Sequence, residues 1–155
     1  MIGASVRSLP RSLPRALVGV AIELPVELLE QYPELRRVQF RRGGLPPRIG
    51  GWALLQRSAA AITLWRTVFL APATALEPML LLHEQRHVQQ FGRSAWFPVQ
   101  YLWGSIRHGY HRNPFELDAE RYAAHRVAGT SALAARDTGS TRAARAVSVP
   151  PSPDA

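Results

Sequence analysis

The chain has 155 residues, 46% of them apolar, which suits one domain with a sizeable core. It has no cysteine, so disulfides and thiolate metal sites are excluded and a metal must be held by imidazole and carboxylate groups. All 19 basic residues are arginine and the net charge is +8, which is typical of a protein that binds an anionic partner or of a GC-rich genome. Because the arginines are scattered, we expect no specific nucleic-acid binding.

The N-terminal segment has a flexible lead and then an apolar stretch. Residues 1–15 are predicted to be flexible, and Leu13–Leu29 is predicted to hold one or two short helices. The apolar run 16–22 resembles a short signal peptide, but Glu23 and Pro25 interrupt the pattern. We therefore expect a cytoplasmic protein whose N-terminal helix packs on the core or touches a membrane surface. The sequence contains no run of about twenty apolar residues, so we expect no membrane span.

Three segments are predicted to form a small antiparallel sheet. Arg36–Arg42 alternates apolar and charged side chains, and Ile49–Gln56 contains a glycine pair that permits a bulge. Ala61–Leu70 is rich in β-branched and aromatic residues, which favour strands. We expect this last strand to form a sheet edge with which an extended peptide can pair.

Three helices are predicted after the strands. The first begins at Thr74, the N-cap of a capping box, and runs to about Gly92. The second spans Ser94–Ile106, and the third runs from Asn113-Pro114 to about Val127. Strands followed by helices predict an α+β fold in which a small antiparallel sheet packs against a helical layer.

This layout predicts one domain over residues 16–128. The tail 129–155 is rich in Ala, Ser, Arg and Pro and offers little apolar surface, so it is predicted to be disordered. The aromatic residues are expected to contribute to the core, including all four tryptophans: Trp52, Trp65, Trp96 and Trp103.

The most informative motif is the H-E-x-x-H sequence of residues 83–87. Residues four apart on a helix share a face, with Cβ atoms about 5–6 Å apart, so His83 and His87 can both reach one zinc ion. Glu84 lies beside them, where its carboxylate can take a proton from a water molecule. The motif therefore predicts a small zinc hydrolase.

A catalytic zinc also needs a third protein ligand. The longer H-E-x-x-H-x-x-G-x-x-H motif is excluded, because residue 90 is glutamine and residue 93 is arginine. The candidates downstream of the motif are histidines and acids: His108, His111, Glu116, Asp118, Glu120 and His125.

The H-E-x-x-H helix followed by E-x-x-A-E-x-x-A at residues 116–123 resembles the gluzincin metallopeptidases. The pattern is closest to the group of the CAAX-prenyl protease and the membrane heat-shock peptidases, and it is also similar to minimal single-domain bacterial gluzincins. The resemblance covers roughly residues 61–124. It implies a zincin-like helical layer and a peptide or protein substrate.

The resemblance also assigns roles to individual residues. It implies that His83, His87 and Glu116 bind zinc and that Glu84 is the general base. It implies that Glu120, at a position where this group usually has Asp, forms a hydrogen bond with a ligating imidazole.

The segment before the ligand helix is where related enzymes often place a donor for the developing oxyanion. His108, Tyr110 and His111 are the candidates here, although an exposed loop position explains each of them more simply.

Two alternatives to a peptidase remain open at the sequence level. One is a zinc-binding module without enzymatic activity, and the other is a basic adaptor that binds nucleic acid or an anionic membrane surface. The sequence carries no signal for an oligomeric state.

Overall fold

The computed structural model describes residues 15–46 and 60–147. In chain order the elements are α1 (Arg15–Val18), β1 (Val20–Ile22), α2 (Val26–Gln31), a 3-10 helix (Pro33–Arg37), β2 (Gln39–Arg42), β3 (Ala61–Leu64), β4 (Thr67–Leu70), α3 (Pro78–Arg93), α4 (Phe97–His108), a second 3-10 helix (Tyr110–Arg112) and α5 (Pro114–Val147). The small sheet is followed by the main helices, so the predicted α+β class is confirmed. None of the described helices is both long enough and apolar enough to cross a membrane.

The sheet is mixed, with the strand order β1-β2-β4-β3. The outer pairs β1–β2 and β3–β4 are antiparallel, but β2 and β4 run parallel, with Phe40 opposite Val68. The predicted fully antiparallel sheet is therefore wrong at this central pair. Because β3 lies between β2 and β4 in the sequence, no tight turn joins β2 to β4, and a parallel pairing of these two strands is possible. As predicted, the segment before the motif helix supplies an edge strand, β3, of the described sheet.

The predicted strand Ala61–Leu70 is in fact the hairpin of β3 and β4. The chain reverses at Trp65 and Arg66, and Trp65 has a φ of 52°, in the left-handed region that tight hairpin turns require. The sequence contains no glycine or asparagine at this turn, so the usual hairpin signal is missing.

The N-terminal segment contains a strand where only helix was predicted. Gly19 has a φ of 62° and separates α1 from β1, and a Cβ atom at this position would lie 2.7 Å from the carbonyl oxygen of Arg42. Only glycine accommodates both the backbone angle and this close approach. The predicted strand Arg36–Arg42 begins later, at Gln39, because the 3-10 helix covers its first residues. The predicted strand Ile49–Gln56 lies outside the described residues.

Helix α3 begins later than the capping box predicts. Its N-cap is Glu77 and Pro78 occupies the first turn, where a missing N–H is least costly. Thr74 lies outside the helix, and its hydroxyl donates to the Ala60 carbonyl at 2.9 Å. The start of α5 at Pro114 is as predicted, but this helix continues beyond Val127 to Val147. It therefore covers much of the predicted disordered tail, since the alanine-rich sequence there favours helix.

The core lies between the sheet and α3, with α5 on the other side of α3. Leu81 and Leu82 of α3 are fully buried, as are Ala119 and Ala123 of α5, whose small side chains allow the two helices to approach closely. The core cluster also includes Leu24, Tyr32, Leu35, Val38, Phe40, Val68 and Leu70. The predicted tryptophan core is wrong for Trp65, Trp96 and Trp103, which are exposed.

Asn113 joins α4 to the start of α5. Its side chain is fully buried; the amide Nδ2 donates to the Tyr101 carbonyl at 3.0 Å and to Ser105 Oγ at 2.8 Å. Its Oδ1 accepts from the Phe115 backbone N–H at 3.1 Å, as an N-cap does. Gly104 lies against this amide, and a Cβ atom there would be 2.9 Å from Asn113 Oδ1.

We expect Gly104→Ala to lower the free energy of unfolding by about 1–3 kcal/mol, because Asn113 cannot shift without losing its hydrogen bonds. Gly92→Ala is the matched control, since a Cβ atom there meets nothing within 4 Å. It should raise the stability by about 0.5–1 kcal/mol through helix propensity. Urea unfolding in the presence of a chelator measures both, and equal effects would contradict the assigned role of Asn113.

Candidate metal centre

Helices α3 and α5 bring three potential metal ligands together. His83 and His87 lie one turn apart on α3, and Glu116 lies in the first turn of α5. The two Nε2 atoms are 3.1 Å apart. Glu116 Oε1 lies 3.1 Å from His87 Nε2, and Glu116 Oε2 lies 3.3 Å from His83 Nε2. Among the described residues, these three form the cluster of His, Asp or Glu side chains that can hold a metal ion.

The spacing of the three ligands fits a zinc ion. Ligands about 2.0–2.1 Å from a tetrahedral zinc are separated from one another by about 3.3 Å. The closest approaches of the three side chains, 3.1–3.3 Å, are near this length, with Glu116 Oε2 facing His83 and Oε1 facing His87. With one ligand atom taken from each residue, the three atoms lie within 4.8 Å of one another. Two imidazoles and one carboxylate are also a donor set that catalytic zinc sites use, with the fourth position left for water.

Gln90 fixes the orientation of the His87 imidazole. The Gln90 amide Nε2 donates to Asp118 Oδ2 at 2.8 Å and to the Phe115 carbonyl at 3.2 Å, so its Oε1 is directed towards His87. His87 Nδ1 lies 2.8 Å from this oxygen and must be the protonated nitrogen of the neutral ring. The lone pair is then on Nε2, which lies among the other ligand atoms. A metal ligand requires this tautomer.

Arg86 binds Asp118, the residue to which Gln90 also donates. Its guanidinium donates to Asp118 through two hydrogen bonds, of 2.7 and 3.0 Å. The hydrogen bonds with Arg86 lower the pKa of Asp118 and raise the pKa of Arg86. Asp118 therefore stays ionised and accepts from both Arg86 and Gln90.

The residue that forms a hydrogen bond with the His87 imidazole is not the one that the family resemblance implies. Glu120 is exposed on α5, and Gln90 makes the hydrogen bond to His87 instead. The physical reason is the phase of the helix: the buried positions 116, 119 and 123 face α3, and Glu120 is rotated from them towards solvent. Gln90 lies three residues after His87, on the same face of α3, and this spacing is the signal that sequence reasoning missed.

Glu116 is held as a carboxylate by the groups around it. Burial alone would raise its pKa, but His83 and His87, whose imidazoles donate from Nε2 when they are protonated and no metal is bound, outweigh burial and hold that pKa well below its usual value. Tyr101 donates its hydroxyl to Glu116 Oε1 at 2.6 Å, and burial and this bond raise the pKa of Tyr101. Sequence reasoning did not identify Tyr101 as a site residue. The structure makes it an outer partner of the third ligand.

Glu84 is buried and lies between the sheet and the ligands. Thr63 of β3 donates its hydroxyl to Glu84 Oε2 at 2.6 Å and lies 3.2 Å from the Glu84 carbonyl oxygen. This contact fixes the carboxylate through Oε2. Thr63 is a second site residue that the sequence did not identify.

The site lines a cavity of about 680 Å³. His83, His87, Glu84 and Glu116 form part of its wall, and most other lining residues are apolar or aromatic: Ala60, Ala61, Ile62, Leu64, Met79, Leu80, Phe91, Phe97, Pro98, Tyr101, Leu102 and Tyr110. A cavity of this size accommodates several side chains of a peptide.

Of the three predicted oxyanion or substrate contacts, the structure brings one to the cavity. Tyr110 lines it, and burial together with the charge of Glu116 raises the pKa of Tyr110, so its hydroxyl stays protonated. His108 and His111 are exposed, and neither is among the described residues that line the cavity. Their surface positions agree with the simpler interpretation.

Comparison with protein-family models, with curated proteins and with solved structures finds no match to this chain.

Proposed function

We propose that this protein is a zinc-dependent peptidase of the gluzincin type, with His83, His87 and Glu116 as ligands and Glu84 as general base. The observation that carries the proposal is the convergence of two imidazoles and one carboxylate, whose ligand atoms lie within 4.8 Å of one another, beside the buried carboxylate of Glu84 in a large cavity. A structural zinc site has four protein ligands. Within residues 15–46 and 60–147 this site offers three candidate ligands, and it lines a cavity with space for a substrate.

Each group around the site has a specific task in peptide hydrolysis. Zinc, when bound, lowers the pKa of a water molecule and polarises a carbonyl group. Glu84, held by Thr63 through Oε2, accepts a proton from the attacking water on Oε1 and delivers it to the leaving amine. Tyr110, neutral at physiological pH, donates its hydroxyl to the developing oxyanion.

The edge strand β3 gives an extended peptide a place to bind. Residues 61–64 line the cavity, and Thr63 contacts the general base directly. A peptide that pairs with this edge would extend along the cavity wall, next to Glu84. The apolar lining favours substrates with apolar side chains near the cleaved bond.

The experiment that tests the proposal is cleavage of a fluorescence-quenched peptide library by the natively purified protein. We expect cleavage that is abolished by chelation and restored by stoichiometric zinc. Stoichiometric zinc without cleavage of any peptide would overturn the peptidase and favour a non-enzymatic zinc module. Cleavage that is unaffected by chelation would overturn the zinc mechanism.

A further inference from the structure

Helix α4 exposes a broad apolar face. Five large apolar side chains at its start and along one side are each more than half exposed: Trp96 (71%), Val99 (58%), Leu102 (59%), Trp103 (64%) and Ile106 (71%). At 100° per residue they cover an arc of roughly 120°. Phe97 and Gly104 lie on the opposite side and are the buried residues of this helix. The apolar stripe of α4 therefore faces outward, whereas the apolar stripe of a typical surface helix faces the core of the protein.

The hairpin turn of β3 and β4 carries a further exposed tryptophan, which reaches the start of α4 through two aromatic contacts. Trp65 is 71% exposed, and its ring lies 6.1 Å from that of Phe91, which in turn lies 4.6 Å from the ring of Phe97 at the start of α4. The neighbouring Leu64 and Arg66 are also exposed. Trp65 is held in the left-handed region, at φ 52°, although this backbone conformation is unfavourable for a bulky residue.

The charge around this surface has one sign. The sequence has no acidic residue between Glu84 and Glu116, a stretch that contains all of α4. The same region has exposed arginines at positions 93, 107 and 112. Acidic residues are also absent from Leu35 to Leu76, which includes the hairpin. The segments that carry this apolar face therefore contribute basic charges and no acidic ones, which favours a partner that is both apolar and anionic.

We infer that the α4 face and the Trp65 turn dock on an anionic lipid bilayer. Interfacial helices combine Trp, Leu and other apolar side chains on one face with arginine at its margin, and the apolar face is buried at the boundary of headgroups and acyl chains. Trp65, Trp96 and Trp103 are suited to this boundary, and each nearby arginine adds attraction to anionic headgroups.

Two other partners fit this face less well. A second copy of the chain, related by a two-fold axis, would bring the basic margins of both copies together without any acid to compensate them. Single-stranded nucleic acid would use the tryptophans for stacking, but it gives no burial to the aliphatic side chains of Val99, Leu102 and Ile106. A bilayer accommodates the aromatic, aliphatic and basic groups together.

Vesicle binding by the full zinc-loaded chain tests this inference and does not depend on hydrolytic activity. The probes are vesicles of phosphatidylcholine alone and of phosphatidylcholine with roughly 30% phosphatidylserine. We expect sedimentation with the anionic vesicles only, and quenching of tryptophan fluorescence by lipids brominated on their acyl chains. The double variant Trp103→Gln/Ile106→Gln should bind at least about tenfold more weakly, because it loses two large apolar groups from the buried face.

Leu133→Gln is the matched control, since Leu133 is 63% exposed on α5 and lies outside this surface. It should bind as the wild type does. Absence of wild-type binding to anionic vesicles, or no quenching by brominated lipids, would overturn the inference. So would equal binding by the double variant, or a wild-type dimer in solution that the double variant dissociates. If the double variant folds poorly, the quenching of wild-type tryptophan fluorescence by brominated lipids still tests the inference on its own.

Discussion

Glu84→Gln is expected to lower the rate of peptide cleavage by about three orders of magnitude, as loss of a general base does, while zinc is still bound. The glutamine side chain has the shape of glutamate. Its amide oxygen can still accept the hydrogen bond from the Thr63 hydroxyl, which lies 2.6 Å from Glu84 Oε2 in the wild type. The fold and the ligand positions should therefore be preserved. The variant therefore loses only the group that accepts the proton.

Glu77→Gln is the matched control for this variant. Glu77 also lines the cavity, but it is the exposed N-cap of α3 and has no contact with Thr63. It should keep both its zinc and the wild-type rate. The measurements are zinc content and initial rates of library cleavage for the wild type and both variants. A Glu84→Gln protein that cleaves at the wild-type rate would contradict the proposed mechanism, and equal losses in both variants would indicate a general effect of charge at the cavity.

The two candidate histidine ligands were predictable because their proximity depends on short-range geometry. The i, i+4 spacing of His83 and His87 places both on one face of any helix, so the sequence alone brings their Nε2 atoms together. The position of Glu116 depends on the packing of α3 against α5, which the sequence indicates only through the small residues Ala119 and Ala123. The family resemblance provided that pairing, and the structure brings Glu116 to both imidazoles.

The groups around the ligands were not predictable, because they depend on tertiary contacts. Gln90 was identified only as the residue that excludes a longer motif, and its bond to His87 depends on Asp118 and Phe115 of α5. Thr63 reaches Glu84 only because the predicted single strand is a hairpin whose edge packs on α3.

The exposed face of α4 was mispredicted for a related reason. Hydrophobic periodicity indicates which side of a helix is apolar, but it does not indicate what covers that side. Trp96 and Trp103 follow the helical repeat of a buried stripe and yet are exposed. The parallel pairing of β2 and β4 had no local signal either, since the two strands are not consecutive in the sequence.

Glu116→Gln should weaken zinc binding by more than roughly 100-fold. Loss of a residue that only hydrogen-bonds to a metal ligand typically weakens it by about 10–100-fold. The amide keeps an oxygen for the Tyr101 hydroxyl, which donates to Glu116 at 2.6 Å, but it removes the negative charge that balances the cation. The lowered pKa of Glu116 means that the wild-type carboxylate needs no deprotonation near neutral pH, so the loss in the variant reflects ligand strength. Competition with a zinc-chelating dye at a fixed pH near neutrality measures the affinity.

Two further variants make this experiment discriminating. Glu120→Gln changes the same chemical group one turn along α5, at an exposed position, and should leave the zinc affinity unchanged. Gln90→Ala removes the hydrogen bond to His87 Nδ1 and should give the intermediate loss of about 10–100-fold, because the imidazole is no longer held in the ligating tautomer. If Glu120→Gln lost zinc and Glu116→Gln kept it, the third ligand would be Glu120, and the arrangement of α5 against α3 would have to differ from the one described.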